Sequence, residues 1–409
     1  MAPGGEGVAS LSPSGDDTIY LDHAATTPLD PEVLAAMVPY LTRSFGNPSS
    51  IYRLGQEARA AVDDARSTVA RVLGCSPAEI VFTSGATESD NLAVKGIAWR
   101  RRLERERGRN AAMPHVVTSA IEHHAVLHAA TALEHQGFPV TYVRPDPEGI
   151  VSPEQIEAVI RPETCLVSVM YANNESGAIQ PVAEIGRIAR ERGIPFHVDA
   201  VQGAGLLPLG VDDLGCDLLA LSAHKFYGPK GVGLLSVRRG SPIRWQQDGG
   251  GQEDGRRGGT ENVAGIVGLA AALAKAEAQR PGYVDHCTAL RNRLEAGIKA
   301  TIPDVVINGP SEPARRLPNN LNVALPGIQG ETVLLNLDMQ RVAASAGSAC
   351  TTGNSEPSHV LLAMGLGEER CRESLRFTVG RSTTADQIDE TIEILAETVA
   401  RVRGLAGVA

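Results

Sequence analysis

Short apolar runs that end in polar residues recur along this chain. Leu218-Leu219-Ala220-Leu221 leads into Ser222, His224 and Lys225, then a Gly228-Pro229 turn. Phe196-His197-Val198 ends on Asp199, with Gln202 three residues on. Ile80-Val81-Phe82-Thr83 feeds Ser84-Gly85-Ala86-Thr87. Val116-Val117-Thr118, Val140 to Val143 and Leu166 to Met170 are similar runs. Their length and bounding turn residues predict buried strands. Between them, apolar residues fall at helical spacing. Val33, Met37, Val38 and Leu41 share a segment starting at Pro31, with Asp30 placed as its N-cap. Residues 55–73 form an amphipathic helix, and helical patterns recur near 122–136, 153–160 and 182–192. Strands alternating with helices predict a doubly wound α/β domain with a mostly parallel sheet. Such sheets place their ligand sites at the strand C-terminal ends.

The pattern changes after residue 260. A helical run from Asn262 to Gln279 is followed by Pro281, read as a break, and by a second helix from Tyr283 to Ala300. Asn320 to Val323 and Arg376 to Val379 then read as strands of a smaller α+β domain. The expected division is a flexible leader at 1–17, a large domain at 34–280, and a small domain built from 18–33 and 281–409. Gly249 to Thr260, rich in glycine, reads as a flexible loop.

Composition narrows the function classes. Apolar residues make up 43% and charged residues 21%, as in ordinary soluble globular proteins. A net charge of −10 argues against nucleic acid as the main partner. No apolar run approaches the roughly 20 residues of a membrane helix, and the leader lacks a signal pattern. The six cysteines include no Cys-x-x-Cys pair, which suits free thiols in a reducing cytoplasm.

A lysine at a strand end can be partly desolvated, which lowers its pKa and suits it to form a Schiff base. Lys225 sits there; the bland alternative is a surface lysine before a turn. Asp199 precedes it by about 25 residues at another strand end, where an acid can pair with a pyridinium nitrogen. Asp199 could equally cap a helix. The Ser84 to Ser89 turn opens a helix whose N–H groups suit a phosphate, although N-capped helices are common. Cys350 lies in a run of small residues, Ala344 to Gly353, which predicts a mobile loop and a candidate nucleophile.

These stretches, taken in order, resemble the pyridoxal-phosphate (PLP) dependent cysteine desulfurases of the NifS/IscS type. The motifs are LDHAATTP, FGNPSS, FTSGATES, EHHAV, NNESGAIQ, HVDAVQ, SAHKFYGPKG, the glycine-rich loop ending in Thr260, SAGSACTTG and RFTVGR. The likeness runs from Tyr20 to about Ala400 and implies PLP fold-type I. It implies that Lys225 forms the Schiff base, Asp199 pairs with the ring nitrogen and Gln202 bonds the ring hydroxyl. His123 stacks on the ring and shuttles protons. Ala86, Thr87, Ser222 and His224 hold the phosphate, with Thr260 from a second subunit. Asn174 and Arg376 receive the substrate carboxylate, Asn174 also bordering the cofactor, and Cys350 accepts sulfur as a persulfide. It further implies L-cysteine as substrate, a homodimer, and a sulfur-acceptor protein, as in iron–sulfur cluster assembly. Asp90, Tyr171, Ser176 and Asp254 depart from the family pattern. Alternatives are a selenocysteine lyase, another PLP group-transfer enzyme, or a non-catalytic scaffold.

Overall fold

The computed structural model describes residues 18–108, 112–346 and 356–406. After a two-residue strand β1 (Ile19–Tyr20), α1 (Pro31–Thr42) starts where Asp30 accepts a bond from the Glu32 N–H at 2.9 Å. Pro31 is at the first helical position, where its missing N–H costs nothing. The next helix, α2 (Arg53–Leu73), buries Ala58, Val62, Ala65, Val69 and Leu73, one face at helical spacing. It ends at Gly74, whose φ of +67° favours glycine.

The chain then alternates. β2 (Ile80–Thr83), α3 (Ala86–Arg107), β3 (His115–Ser119), α4 (His124–Glu134), β4 (Val140–Val143) and α5 (Pro153–Val159) come first. β5 (Thr164–Ser168), α6 (Val182–Glu191), β6 (Phe196–Asp199), β7 (Leu218–Ser222) and β8 (Gly233–Val237) follow. Among the described residues the sheet has the order β2-β8-β7-β6-β5-β3-β4. Strand β8 runs antiparallel to both β7 and β2; the other pairs are parallel. The C-terminal ends of β2, β3, β5, β6 and β7 therefore share one edge. Helices cover both faces, so these strands are buried throughout and read as apolar runs without alternation. The sequence reading omitted β8, although Leu234 and Leu235 mark a short apolar run.

The expected break at Pro281 is absent. α7 (Val263–Thr301) is one helix of 39 residues with Pro281 inside it. Pro281 and Gly282 lie on the exposed side. On that side water can reach the Glu277 carbonyl that loses its partner, so the helix can continue. Beyond it come β9 (Val306–Asn308), β10 (Asn320–Ala324), α8 (Gly330–Met339), β11 (Val342–Ala343), α9 (His359–Ala363), α10 (Glu368–Arg372), β12 (Ser374–Thr378) and α11 (Ala385–Ala406). β12, β10 and β9 form an antiparallel sheet, and β1 pairs in parallel with β11.

One core lies between the large sheet and α1, α2, α6 and the first half of α7, with Val62, Phe196, Leu219 and Leu269 inside. The opposite sheet face packs Leu92, Ile97, Val126 and Leu133. A separate core gathers Leu21, Leu294, Ile298, Leu321, Phe377 and Leu395. Helix α7 thus contributes to two cores. The boundary expected between residues 33 and 34 falls inside α1, whose buried Val33 and Met37 belong to the larger core.

Candidate active site

A cavity of about 920 Å³ opens at the shared C-terminal edge of the parallel strands. Ala86, Thr87, His123, Asn174, Asp199, Gln202, Ser222, His224, Lys225 and Arg376 all line it. Thr260 does not line the cavity of its own chain. Cys350 lies outside the described residues. Ala344, Ser345 and Ala346, the residues that lead toward it, are in the cavity wall, as is His359 beyond it.

Lys225 ends the 3-10 turn Ala223–Lys225 that follows β7. Its Nζ donates to the carbonyls of Ala24 at 2.6 Å and Ala25 at 2.8 Å. Carbonyls orient an ammonium without neutralising it. Burial, reinforced by the Arg376 charge, lowers the Lys225 pKa to about 8. Two residues on, Tyr227 holds φ at +68°, a strained conformation for a bulky side chain. Tyr227 N–H donates to Thr27 Oγ1 at 2.8 Å, and the Arg381 N–H donates to the Tyr227 hydroxyl at 2.7 Å. The Arg381 guanidinium sits 4.2 Å over the Tyr227 ring. These contacts fix the turn that presents the lysine.

Asp199 ends β6 and is buried. Val201 N–H donates to its Oδ1 at 3.0 Å within a turn; no helix starts there, so the capping alternative is not realised. Burial pushes its pKa up to about 6, against that bond and the Lys225 charge. Behind it lie two further buried carboxyls, Asp90 and Glu122. Burial, with the charges of Asp199 and Glu122, drives Asp90 well above the carboxylate range. Burial raises Glu122 to about 8 although Ser119 Oγ and the Met170 N–H both bond it. Among the described residues neither oxygen of Asp90 has a hydrogen-bond partner.

His123 is the N-cap of α4, its Nδ1 accepting the Ala125 N–H at 3.1 Å. That bond leaves the ring proton on Nε2. Burial first, and the Lys225 charge next, lower its pKa to about 4, so it is neutral at pH 7. His123 thus both caps α4 and lines the cavity. At the other end, α3 starts at Ala86 after Gly85, whose φ of +154° few other residues adopt. A Cβ on Gly85 would approach Ser222 Oγ to 3.7 Å. One on Gly233 would collide with Gly85 Cα at 2.6 Å. Gly233 thus lets this helix start lie close against β8 beside Ser222, while Gly85 is set by its backbone conformation. His224 bonds Thr26 Oγ1 through Nδ1 at 3.1 Å, and burial lowers its pKa to about 4.

Arg376 lies on β12. Its Nη2 donates to Asp22 Oδ1 at 2.6 Å and its Nη1 to the Asn174 carbonyl at 3.0 Å. Gln202 Nε2 donates to the Ala24 carbonyl at 3.1 Å. Asp22, Glu88, Asp90 and Glu175, which line the cavity, and Glu122 near Asp199 are carboxyls to which the sequence reading assigned no role. Each sits inside or beside a quoted motif, which was the available signal.

The donor set fits PLP. A lysine with a depressed pKa can hold an aldehyde. A buried carboxylate, bonded among the described residues only by a backbone N–H, can take a pyridinium proton. A helix start beside Ser222 and His224 can take a phosphate.

A model of the aminotransferase class-V family matches residues 19–391. The chain is 47% identical over 388 residues to a Clostridium botulinum protein named "Cysteine desulfurase IscS", covering 95% of this chain and 96% of that one. A solved structure named "NIFS-LIKE PROTEIN" matches with TM-score 0.86 at 37% identity, covering 94% of this chain and all of the other. "SspA in complex with cysteine" matches with TM-score 0.77 at 38% identity over 90% of this chain and all of the other.

Proposed function

The chain belongs to the class-V aminotransferase family and, within it, to the PLP-dependent cysteine desulfurases, and we propose how its residues divide the work. The reaction converts L-cysteine to L-alanine, with the sulfur held as a persulfide on Cys350 and passed to an acceptor protein. The observation that carries this reading is one cavity in which Lys225, with a pKa near 8, and buried Asp199 lie with Arg376 and the start of α3.

Bound PLP supplies an electron sink for the bonds around the substrate Cα. Lys225 Nζ would hold its aldehyde carbon and, as a free amine, would move a proton at the substrate Cα. Asp199 would keep the ring nitrogen protonated, and Gln202 would bond the ring hydroxyl. His123 would lie against the ring and offer its Nε2 proton. Ala86, Thr87, Ser222 and His224 would hold the phosphate. Arg376, with Asn174, takes the substrate carboxylate by exchanging Asp22 for it, a bidentate task suited to a guanidinium. The Cys350 thiolate attacks the substrate sulfur; the C–S electron pair goes to carbon, which takes up a proton to become the alanine methyl, and the S–S bond stays on the protein.

The working form is a homodimer in which Thr260 of one subunit completes the phosphate site of the other. Thr260 lies away from its own cavity, and Val38, Leu41, Phe45, Ile51 and Tyr52 expose apolar surface within one short stretch. A cytoplasmic setting suits the cysteines that are free among the described residues, Cys75, Cys165, Cys216, Cys287 and Cys371. No described helix is long and apolar enough to cross a membrane. The test is direct. Purified PLP-loaded protein given L-cysteine and a reductant should release alanine and sulfide in equal amounts; release of neither would sink the assignment.

A further inference from the structure

The glycine-rich loop is anchored in a way its composition does not suggest. Glu253 is buried, and its carboxylate accepts two bonds from Arg66, at 2.6 and 2.9 Å, and one from the Phe82 N–H at 3.0 Å. Arg256 donates to the carbonyls of Ala78 and Ile80. These bonds fasten the loop to the β2 edge and bring Arg257 to Glu88. Arg257 Nε lies 2.9 Å from Glu88 Oε1 and Nη2 3.2 Å from Oε2, a two-point pairing.

Glu88 is the third residue of α3 and lines the main cavity. Its carboxylate folds back to accept the Ser84 N–H at 2.8 Å. A carboxylate there steadies the helix start, but it repels a second anion at the same N-terminus. Arg257 lines a separate groove of about 540 Å³ and not the main cavity. Ser84, Thr87 and Glu88 form the wall between the two. Arg257 therefore approaches Glu88 from behind. The pair is about one-fifth exposed on each side, so solvent screens it less than a surface pair. Burial disfavours the Glu88 charge, yet bonds from Arg257 and Ser84 outweigh it and hold the carboxyl below its ordinary range. Glu88 thus stays ionised at neutral pH. The two other arginines that anchor the loop are committed elsewhere: Arg66 to Glu253, and Arg256 to the two carbonyls.

We propose that Arg257 is a positioning residue of the phosphate site: by pairing with Glu88 it cancels a carboxylate charge at the helix start that receives the cofactor's phosphate. This rests on the functional reading above. It gives the loop a task within its own subunit, distinct from the reach of Thr260.

The test compares apoenzyme affinity for PLP and for pyridoxal, which lacks the phosphate, by absorbance titration. Arg257→Met should weaken PLP about tenfold and leave pyridoxal unchanged, because only an anion feels the uncovered carboxylate. Arg257→Lys should keep affinity within about twofold, and Glu88→Gln combined with Arg257→Met should restore it to about the wild-type value. An equal loss for pyridoxal would mean that the loop had merely been disordered. A loss that Glu88→Gln fails to rescue would also overturn the inference, since Arg257 would then act other than through Glu88. Wild-type apoenzyme that bound neither compound would instead remove the functional reading, and the inference with it.

Discussion

The depressed pKa of Lys225 sets a measurable rate. Only the neutral amine attacks an aldehyde, and the neutral fraction rises with pH up to the pKa. With a pKa of about 8, about a tenth of the protein carries a neutral Lys225 at pH 7. A lysine at its ordinary value would be neutral in only about 0.03% of molecules at that pH. The site therefore gains roughly 300-fold in reactive amine. The perturbation is pH, from 7 to 10, and the assay is stopped-flow absorbance of apoenzyme mixed with excess PLP. The capture rate should climb tenfold per pH unit below about 8 and flatten above it. Arg376→Met should move the bend to higher pH. It removes the second cause of the depression and frees Asp22, whose charge favours the ammonium. Each unit of that shift slows capture at pH 7 about tenfold. A rate that still climbs through pH 10 in the wild type would mean that Lys225 is an ordinary solvated amine. A rate with no bend, surviving unchanged in Lys225→Ala, would mean that another residue holds the aldehyde.

Cys350→Ser should keep the cofactor, change its absorbance when L-cysteine is added, and then stall. A serine hydroxyl supplies no anion at neutral pH, whereas a thiol with a pKa of about 8.5 does. Alanine release at the wild-type rate would refute this, and Ala substitutions at each of the other five cysteines should change turnover by no more than a few fold. Glu253→Ala should cost about 3–5 kcal/mol, because it leaves Arg66 buried without its partner. Asp254→Gly beside it should be neutral or slightly stabilising, since Asp254 is exposed at φ +55°. Urea midpoints of the two variants decide this, and similar shifts would discount the ion pair. Sedimentation should show a dimer, and an active, PLP-loaded monomer would sink the shared phosphate site.

Much of the fold was legible because a sheet buried on both faces writes its strands as plain apolar runs. Ile80–Thr83 and Val140–Val143 match their predicted bounds, and the Asp30 cap with Pro31 announced α1. Pro281 misled because its cost depends on whether the orphaned carbonyl can meet water, and sequence does not say which side of a helix faces out. The glycines of residues 249–260 suggested flexibility. Its actual constraint comes from Arg66, 187 positions before Glu253, a pairing that no local pattern announces.

The site followed the same division. Residues whose chemistry is carried by their own type, Lys225, Asp199, His123 and Arg376, were found from motifs and meet in one cavity. What was not legible is the state in which each arrives. Arg376 reaches the cavity already paired with Asp22, and Lys225 reaches it tied to two carbonyls of the Asp22 to Thr27 segment. That segment is itself pinned to β12, through Ala24 N–H donating to Thr378 Oγ1 at 2.9 Å. A buried guanidinium or ammonium left without a partner would be costly, so the N-terminal motif supplies the missing oxygens from far away in sequence. The LDHAATTP stretch holds the two cations of the site apart and ready, one with a carboxylate and one with neutral carbonyls. Neutral carbonyls bring Lys225 no counter-charge, so burial, reinforced by the Arg376 charge, brings its pKa down to about 8.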